Sequence, residues 1–153
     1  YKMGAIRDPG KDWQYKIKIA EQSNKLTTPG IQQVRRYRQN GHYAADMIYD
    51  VQQGFEIPCT MVDPFDITRQ RRFESEANGE DLLQPLLRQG KAVQELPSLN
   101  SIRERVQSQL NGFHSAVLRT VNPHEYPVGM ERSLFNLRTK LALEVRKQSR
   151  HAN

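Results

Sequence analysis

Asn40-Gly41 is the strongest local constraint in this chain. It lies between two strand-like runs, 31–39 and 42–51, and Asn-Gly readily takes the positive φ that a tight hairpin needs at both central residues. The chain is therefore committed to antiparallel β-structure around this turn. Upstream, residues 13–19 alternate Trp13, Tyr15, Ile17 and Ile19 with Gln14, Lys16 and Lys18. That period of two predicts a strand with one apolar and one basic face. Residues 1–6 read as another short strand, closed by the turn Arg7-Asp-Pro-Gly10. Residues 55–62 predict a further strand, with Pro58 at an edge or bulge. Residues 82–96 predict a second hairpin turning at Gln89-Gly90, whereas the charged stretch 63–81 reads as irregular.

Periodicity changes after Pro97. Leu99, Ile102, Val106, Leu110, Phe113, Val117 and Val121 recur every three or four residues, predicting one amphipathic helix of about six turns. Ser98 marks its start, with Ser101 and Glu104 as a competing capping box one turn later. A second stripe runs through Met130, Leu134, Leu137, Leu141 and Val145. Its basic end, Arg146, Lys147 and Arg150, suits the negative end of a helix dipole. The expected class is α+β, with antiparallel strands and hairpins in the first two-thirds and two amphipathic helices at the C-terminus. The expected division is a strand-rich portion, 1–97, and a helical portion, 98–153.

Apolar residues make up 37% of the 153-residue chain, and mean hydropathy is −0.79. Both are low for a self-sufficient core, so the chain is expected to be part of something larger. No apolar run reaches the roughly 18 residues of a membrane span. The single cysteine, Cys59, excludes a disulfide framework within the chain and reads as a small strand residue in a reducing, cytoplasmic protein. The net charge of +6 admits nucleic acid, phosphate ligands or plain solvation as its reason.

Few residues carry a recognisable chemistry. No glycine-rich dinucleotide fingerprint, Walker loop, zinc-protease motif or nucleophile elbow occurs, and neither a catalytic residue nor a metal set is assigned. His42, His114, His124 and His151 lack a nucleophile and carboxylate pattern, and the pairs Asp46/Asp50 and Glu80/Asp81 read as ordinary surface carboxylates. Arg35, Arg36, Arg38, Arg69, Arg71 and Arg72 offer phosphate contacts for nucleic acid, with Tyr37 and Tyr43 as stacking or cross-strand aromatics. Lys18 and Lys25 bracket a polar loop that ends Thr27-Thr-Pro-Gly30. Ammonium groups beside hydroxyls and free backbone N–H groups are parts of a phosphate site, and equally of a solvated basic face.

Several segments together resemble the nicotinate phosphoribosyltransferase family. Ile17-Lys-Ile-Ala with Ser23-Asn-Lys-Leu-Thr-Thr-Pro-Gly30, continuing through Gln32 to Arg35, is similar to one of its conserved-type stretches. Arg71-Arg-Phe-Glu74, Leu86-Leu87, Gly90-Lys91 and Leu96-Pro97 resemble the next. Asn122-Pro-His-Glu-Tyr-Pro-Val128 is the nearest to a signature, and Tyr1-Lys2 resembles the strand that follows the family's phosphate loop.

The resemblance implies a portion of a type II phosphoribosyltransferase built on an α/β barrel. It implies an enzyme that joins nicotinate to phosphoribosyl pyrophosphate with coupled ATP hydrolysis and magnesium. The products are nicotinate mononucleotide, on the way to NAD, and pyrophosphate. Lys2, Lys18 and Lys25 are the implied phosphate-binding residues, with Lys18 aligned less securely because of a one-residue gap. Thr27 and Thr28 are weaker hydroxyl donors. The implied partners are the N-terminal portion of the same protein and a second subunit of a homodimer. The phosphorylated histidine, the nicotinate-binding aromatic and the glycine-rich loop have no counterpart here, so this chain alone is expected to be inactive. Two other classes remain at this point: a small basic module for RNA or another polyanion, and a structural interaction domain.

Overall fold

The computed structural model describes residues 3–6, 10, 12, 14–20, 22, 25–75 and 78–151. Its centre is the hairpin of β3 (Gly30–Gln39) and β4 (His42–Asp50). Asn40 and Gly41 take φ of 52° and 82°, the mirror-image turn that Asn-Gly favours. Gln89 and Gly90, at 51° and 77°, close the smaller hairpin of β8 (Leu87–Arg88) and β9 (Lys91–Ala92) in the same way. Both hairpins lie where the sequence puts them.

Around β3 and β4 the sheet runs β2-β1-β3-β4-β10-β5-β6, and β7 also pairs with β3. β1 is Met3–Ile6 and β2 is Gln14–Tyr15. β5 is Cys59–Val62, β6 is Gln70–Phe73, β7 is Gly79–Asp81 and β10 is Val128–Glu131. All neighbours are antiparallel except β10 against β4, which makes the sheet mixed. β10 comes from beyond Pro97 and sits between β4 and β5, so the strand-rich and helical portions share one sheet.

Several local expectations change; the strand expected over 55–62 is laddered only at Cys59–Val62, and Met130 lies in β10, before α2 begins. The strand expected over 13–19 is laddered only at Gln14–Tyr15, although side chains 14–19 still alternate between exposed and half-buried; Trp13 lies outside the described residues. The stretch 63–81 is not irregular throughout, because β6 pairs with β5 and β7 pairs with β3. Phe73 of β6 stacks on Tyr37 with ring centroids 3.7 Å apart. Finally, the first helix is shorter than its apolar spacing predicts. α1 (Leu99–Leu110) starts at Ser98, whose Oγ accepts from Ser101 N at 3.2 Å, but it ends before Gly112.

Gly112 explains that end. Its carbonyl accepts the Tyr43 N–H at 2.7 Å, and a Cβ there would run into the Tyr43 ring. A docked backbone of this kind cannot also continue a helix. Phe113 then sets its ring edge-on to both Tyr43 and Tyr126, each at 5.0 Å.

One face of the sheet carries the aromatic and sulfur-rich core of Tyr37, Ala45, Met47, Cys59 and Met61, with Phe55, Ile57 and Phe73 against it. The other face is covered by α2 (Arg132–His151), which lies on β5 and β10. The Glu131 carboxylate caps α2, accepting from Ser133 N at 2.7 Å and Leu134 N at 3.2 Å. The β8–β9 hairpin, the segment after it and α1, in contrast, leave Leu87, Leu96 and Leu99 exposed.

Gly112→Ala is expected to destabilise the fold by about 1–3 kcal/mol, since its methyl must displace the Tyr43 ring. Denaturant unfolding checks this, with Gly90→Ala as the comparison whose added Cβ meets no atom within 4 Å and whose cost comes from positive φ alone.

Candidate functional site

Strand β4 organises the two loops that the sequence singled out. Its even-numbered side chains Asp46, Ile48 and Asp50 share one face, by the alternation of a strand in regular register. The sequence read Asp46 and Asp50 as surface carboxylates. Both are instead buried, and each holds one loop.

Asp50 holds the first loop. It accepts the Ile31 N–H at 3.0 Å, the Gln52 N–H at 3.3 Å and the Tyr15 hydroxyl at 2.6 Å. Gly30 lies against it with φ of 91°, and a Cβ there would meet the Asp50 carboxyl carbon at 2.8 Å. The glycine that ends Thr-Thr-Pro-Gly is thus required twice, for its backbone angle and for the carboxylate beside it.

Asp46 holds the second loop. Arg36, its partner across the hairpin, donates Nε and Nη2 to the two carboxylate oxygens at 2.8 and 2.7 Å. Tyr126 of Asn122-Pro-His-Glu-Tyr-Pro-Val128 donates its hydroxyl to the same carboxylate at 2.9 Å, and Asp46 N donates to Pro127 O at 3.0 Å. The Arg36 guanidinium also lies 4.5 Å from the centre of the Tyr43 ring. The Asp46 bond stabilises the Arg36 cation and pushes its pKa up. Burial, then the bond to Asp46, pushes the Tyr126 hydroxyl up as well.

The two loops meet at one cleft of about 610 Å³. Leu26 and Thr28 come from the first, and Glu125 to Val128 from the second. The β5–β6 connection adds Asp63, Pro64 and Phe65, and α2 adds Arg138. Two segments nearly a hundred residues apart therefore line the same cavity, a size typical of small-molecule sites.

The lysines are placed as follows. Lys18 and Lys25 are exposed and form no ion pair with a described carboxylate, and Lys2 lies outside the described residues. Lys18 N donates to Thr27 Oγ1 at 2.7 Å, and Thr27 N donates to Lys18 O at 3.2 Å. The backbone of Lys18 is thereby tied to the loop that carries Lys25, and the Thr27 oxygen is engaged locally.

The arginines named for nucleic acid are largely engaged inside the chain. Arg35, Arg36, Arg38, Arg69 and Arg72 each pair with a carboxylate, and Arg71 donates to Ala44 O at 2.6 Å. The His42 and His114 rings touch edge to face at 5.7 Å, and His124 N donates to Ala116 O at 2.9 Å. Cys59 is buried in the core, and burial pushes its thiol up. Among the described residues no group of three or more His, Cys, Asp or Glu side chains is placed to hold a metal ion.

Sequence reasoning missed Arg138. The apolar stripe of α2 was drawn through Leu137 and Leu141, whereas the fully buried line is Leu134, Arg138 and Ala142. The signal available was spacing: Arg138 lies four residues from each of these buried neighbours.

A mixed sheet covered by a C-terminal helix, with both loops clamped to one strand, makes this an α+β domain. The family model described as the nicotinate phosphoribosyltransferase C-terminal domain matches residues 30–138, and the chain belongs to that family. Similar proteins include a nicotinate phosphoribosyltransferase of Dictyostelium discoideum, 28% identical over 142 residues, which covers 84% of this chain and 24% of that protein. Another, from Bacillus subtilis strain 168, is 29% identical over 150 residues, covering 95% of this chain and 30% of that one. The crystal structure of human nicotinic acid phosphoribosyltransferase superposes with a TM-score of 0.65 at 25% identity, over 75% of this chain and 23% of the human chain. The chain thus spans between 24% and 30% of the length of these curated relatives.

Two outcomes follow from the clamps. Asp46→Ala leaves the half-buried Arg36 cation without its partner and is expected to cost about 1–3 kcal/mol in chemical denaturation, with Asp46→Asn costing less. The Tyr15 hydroxyl is pushed up from 10.0 to about 12, first by burial and then by Asp50. Its contribution to stability is therefore complete below pH 10 and lost as pH rises towards 12. Tyr15→Phe is expected to lower stability at neutral pH and to flatten the alkaline decline in a pH series of thermal melts.

Proposed function

We propose that this chain is the C-terminal portion of a nicotinate phosphoribosyltransferase. The whole enzyme would join nicotinate to phosphoribosyl pyrophosphate and release nicotinate mononucleotide and pyrophosphate, with coupled ATP hydrolysis. The observation that carries this reading is the family match over residues 30–138, with both curated relatives named for that activity. In this reading residues 1–97 are the end of the barrel and the returning β segment, and 98–153 the helical portion. The protein acts in the cytoplasm as a homodimer. No helix among the described residues is long and apolar enough to cross a membrane.

The chemistry assigned to this portion is electrostatic. Pyrophosphate leaves with high charge density, and fixed cations lower the energy of that developing charge. Lys2, Lys18 and Lys25 are the proposed cations. Two features support the last two: their exposure, and the backbone pair between Lys18 and Thr27 that ties their segments together. ATP and magnesium act in the whole enzyme, and no described residue set of this chain is assigned to hold them. The exposed Leu87, Leu96 and Leu99 support a face that packs on the remainder of the protein.

The test is nicotinate mononucleotide formation by the full-length protein containing this chain, with and without ATP. Product from nicotinate that ATP accelerates is expected. Lys25→Ala is expected to lower kcat/KM by roughly 10- to 100-fold. An unchanged Lys25→Ala enzyme removes that residue from the site, and absence of product from any pyridine base removes the reading.

A further inference from the structure

Arg138 is only 7% exposed, in the middle of the buried line of α2. Its described bonding is one contact, Nη2 donating to the Leu26 carbonyl at 3.3 Å. Its Nε is buried without a partner among the described residues, and no described carboxylate lies within ion-pairing distance of it. A buried cation in this state is costly, because the lost hydration is not replaced. Burial accordingly lowers its pKa.

The side chain lines the cleft where the two clamped loops meet. The other charges on that lining largely cancel. Asp63 and Glu125 both lie against Arg69, at 3.6 and 2.7 Å, and Arg71 is bonded to the Ala44 carbonyl. Three arginines face two carboxylates, both held by Arg69; Arg71 and Arg138 each meet a backbone carbonyl instead, and Arg138 is the buried one. The apolar part of the wall is Ile48, Met130 and Val128 from the sheet, Tyr126 from the connector and Phe65 at the exposed lip, beside the polar Thr28 and Gln70. A buried cation in a cleft whose walls mix polar and apolar groups suits an anionic head on a flat body with an apolar face.

We propose that this cleft is a binding site for a small oxyanion, a carboxylate or phosphate carried on an apolar or aromatic body, with Arg138 as its anchor. Its guanidinium presents the Nε and Nη donors that a planar carboxylate takes two at a time, and lysine cannot reproduce that fork. The site is separate from the phosphate role proposed for Lys18 and Lys25, neither of which lines the cleft.

The test is calorimetric titration of the full-length protein with two probes, benzoate and inorganic phosphate, in wild type, Arg138→Met and Phe65→Ala. The readout is binding, so it is independent of whether the enzyme makes nicotinate mononucleotide. The expected result is a binding event in the wild type that weakens by roughly tenfold or more in Arg138→Met. Phe65 is 67% exposed, so its truncation leaves the fold intact and is expected to weaken benzoate several-fold and phosphate little. Thermal melts of each variant without probe identify one that has failed to fold, and the Phe65→Ala arm then carries the decision. Identical titrations in all three proteins, or no binding of either probe at roughly 10 mM, overturn the proposal. A carboxylate from elsewhere in the protein that already occupies Arg138 gives that second result.

Discussion

Two buried carboxylates on one strand hold the molecule's two distinctive loops. Asp46 and Asp50 lie four residues apart on the same face of β4, and each is saturated by donors from a different part of the chain. A buried carboxylate without donors is costly, so the donors and the loops that carry them are held in place. Asp50 brings in Tyr15 and the Gly30–Ile31 backbone. Asp46 brings in Arg36 and Tyr126. Because both carboxylates stand on β4, paired on both sides, the two loops are held near each other and share one cleft.

The same accounting explains how a chain of net charge +6 folds with so many arginines half-buried. Arg35 and Arg36 on β3 meet Asp81 and Asp46 on the strands to either side. Arg69 bridges Asp63 and Glu125, joining the β5–β6 connection to the second loop. The Arg35 and Arg36 pairs help fix strand register, because a one-residue slip would leave each half-buried charge without its partner. Arg71 and Arg138 depart from this pairing, and Arg138, the buried one, lies in the cleft that the two loops form.

Local chemistry was legible in the sequence where it acts over a few residues. Asn40-Gly41 and Gln89-Gly90 are turns because of their own backbone preferences, and Ser98 caps α1 because its hydroxyl reaches three residues ahead. Spacing misled where tertiary contacts compete with it. Phe113, Val117 and Val121 continue a helical period, but the Gly112 carbonyl is taken by Tyr43, and the backbone turns away. β6, β7 and β10 are three or four residues each, too short to show a period of two. They are strands because partners distant in sequence offer them hydrogen bonds.

The sequence by itself determined the central hairpin, the α2 helix, the α+β class and, through Thr-Thr-Pro-Gly and Asn-Pro-His-Glu-Tyr-Pro-Val, the family resemblance. All of these rest on side-chain and backbone preferences within a short window. Tertiary structure alone decided that Asp46 and Asp50 are buried clamps, that the two loops line one cavity, and that Arg138 is enclosed there with no described carboxylate beside it. Burial and pairing of charge depend on which distant segments meet, and that is settled only when β10 enters the sheet beside β4 and α2 closes over it.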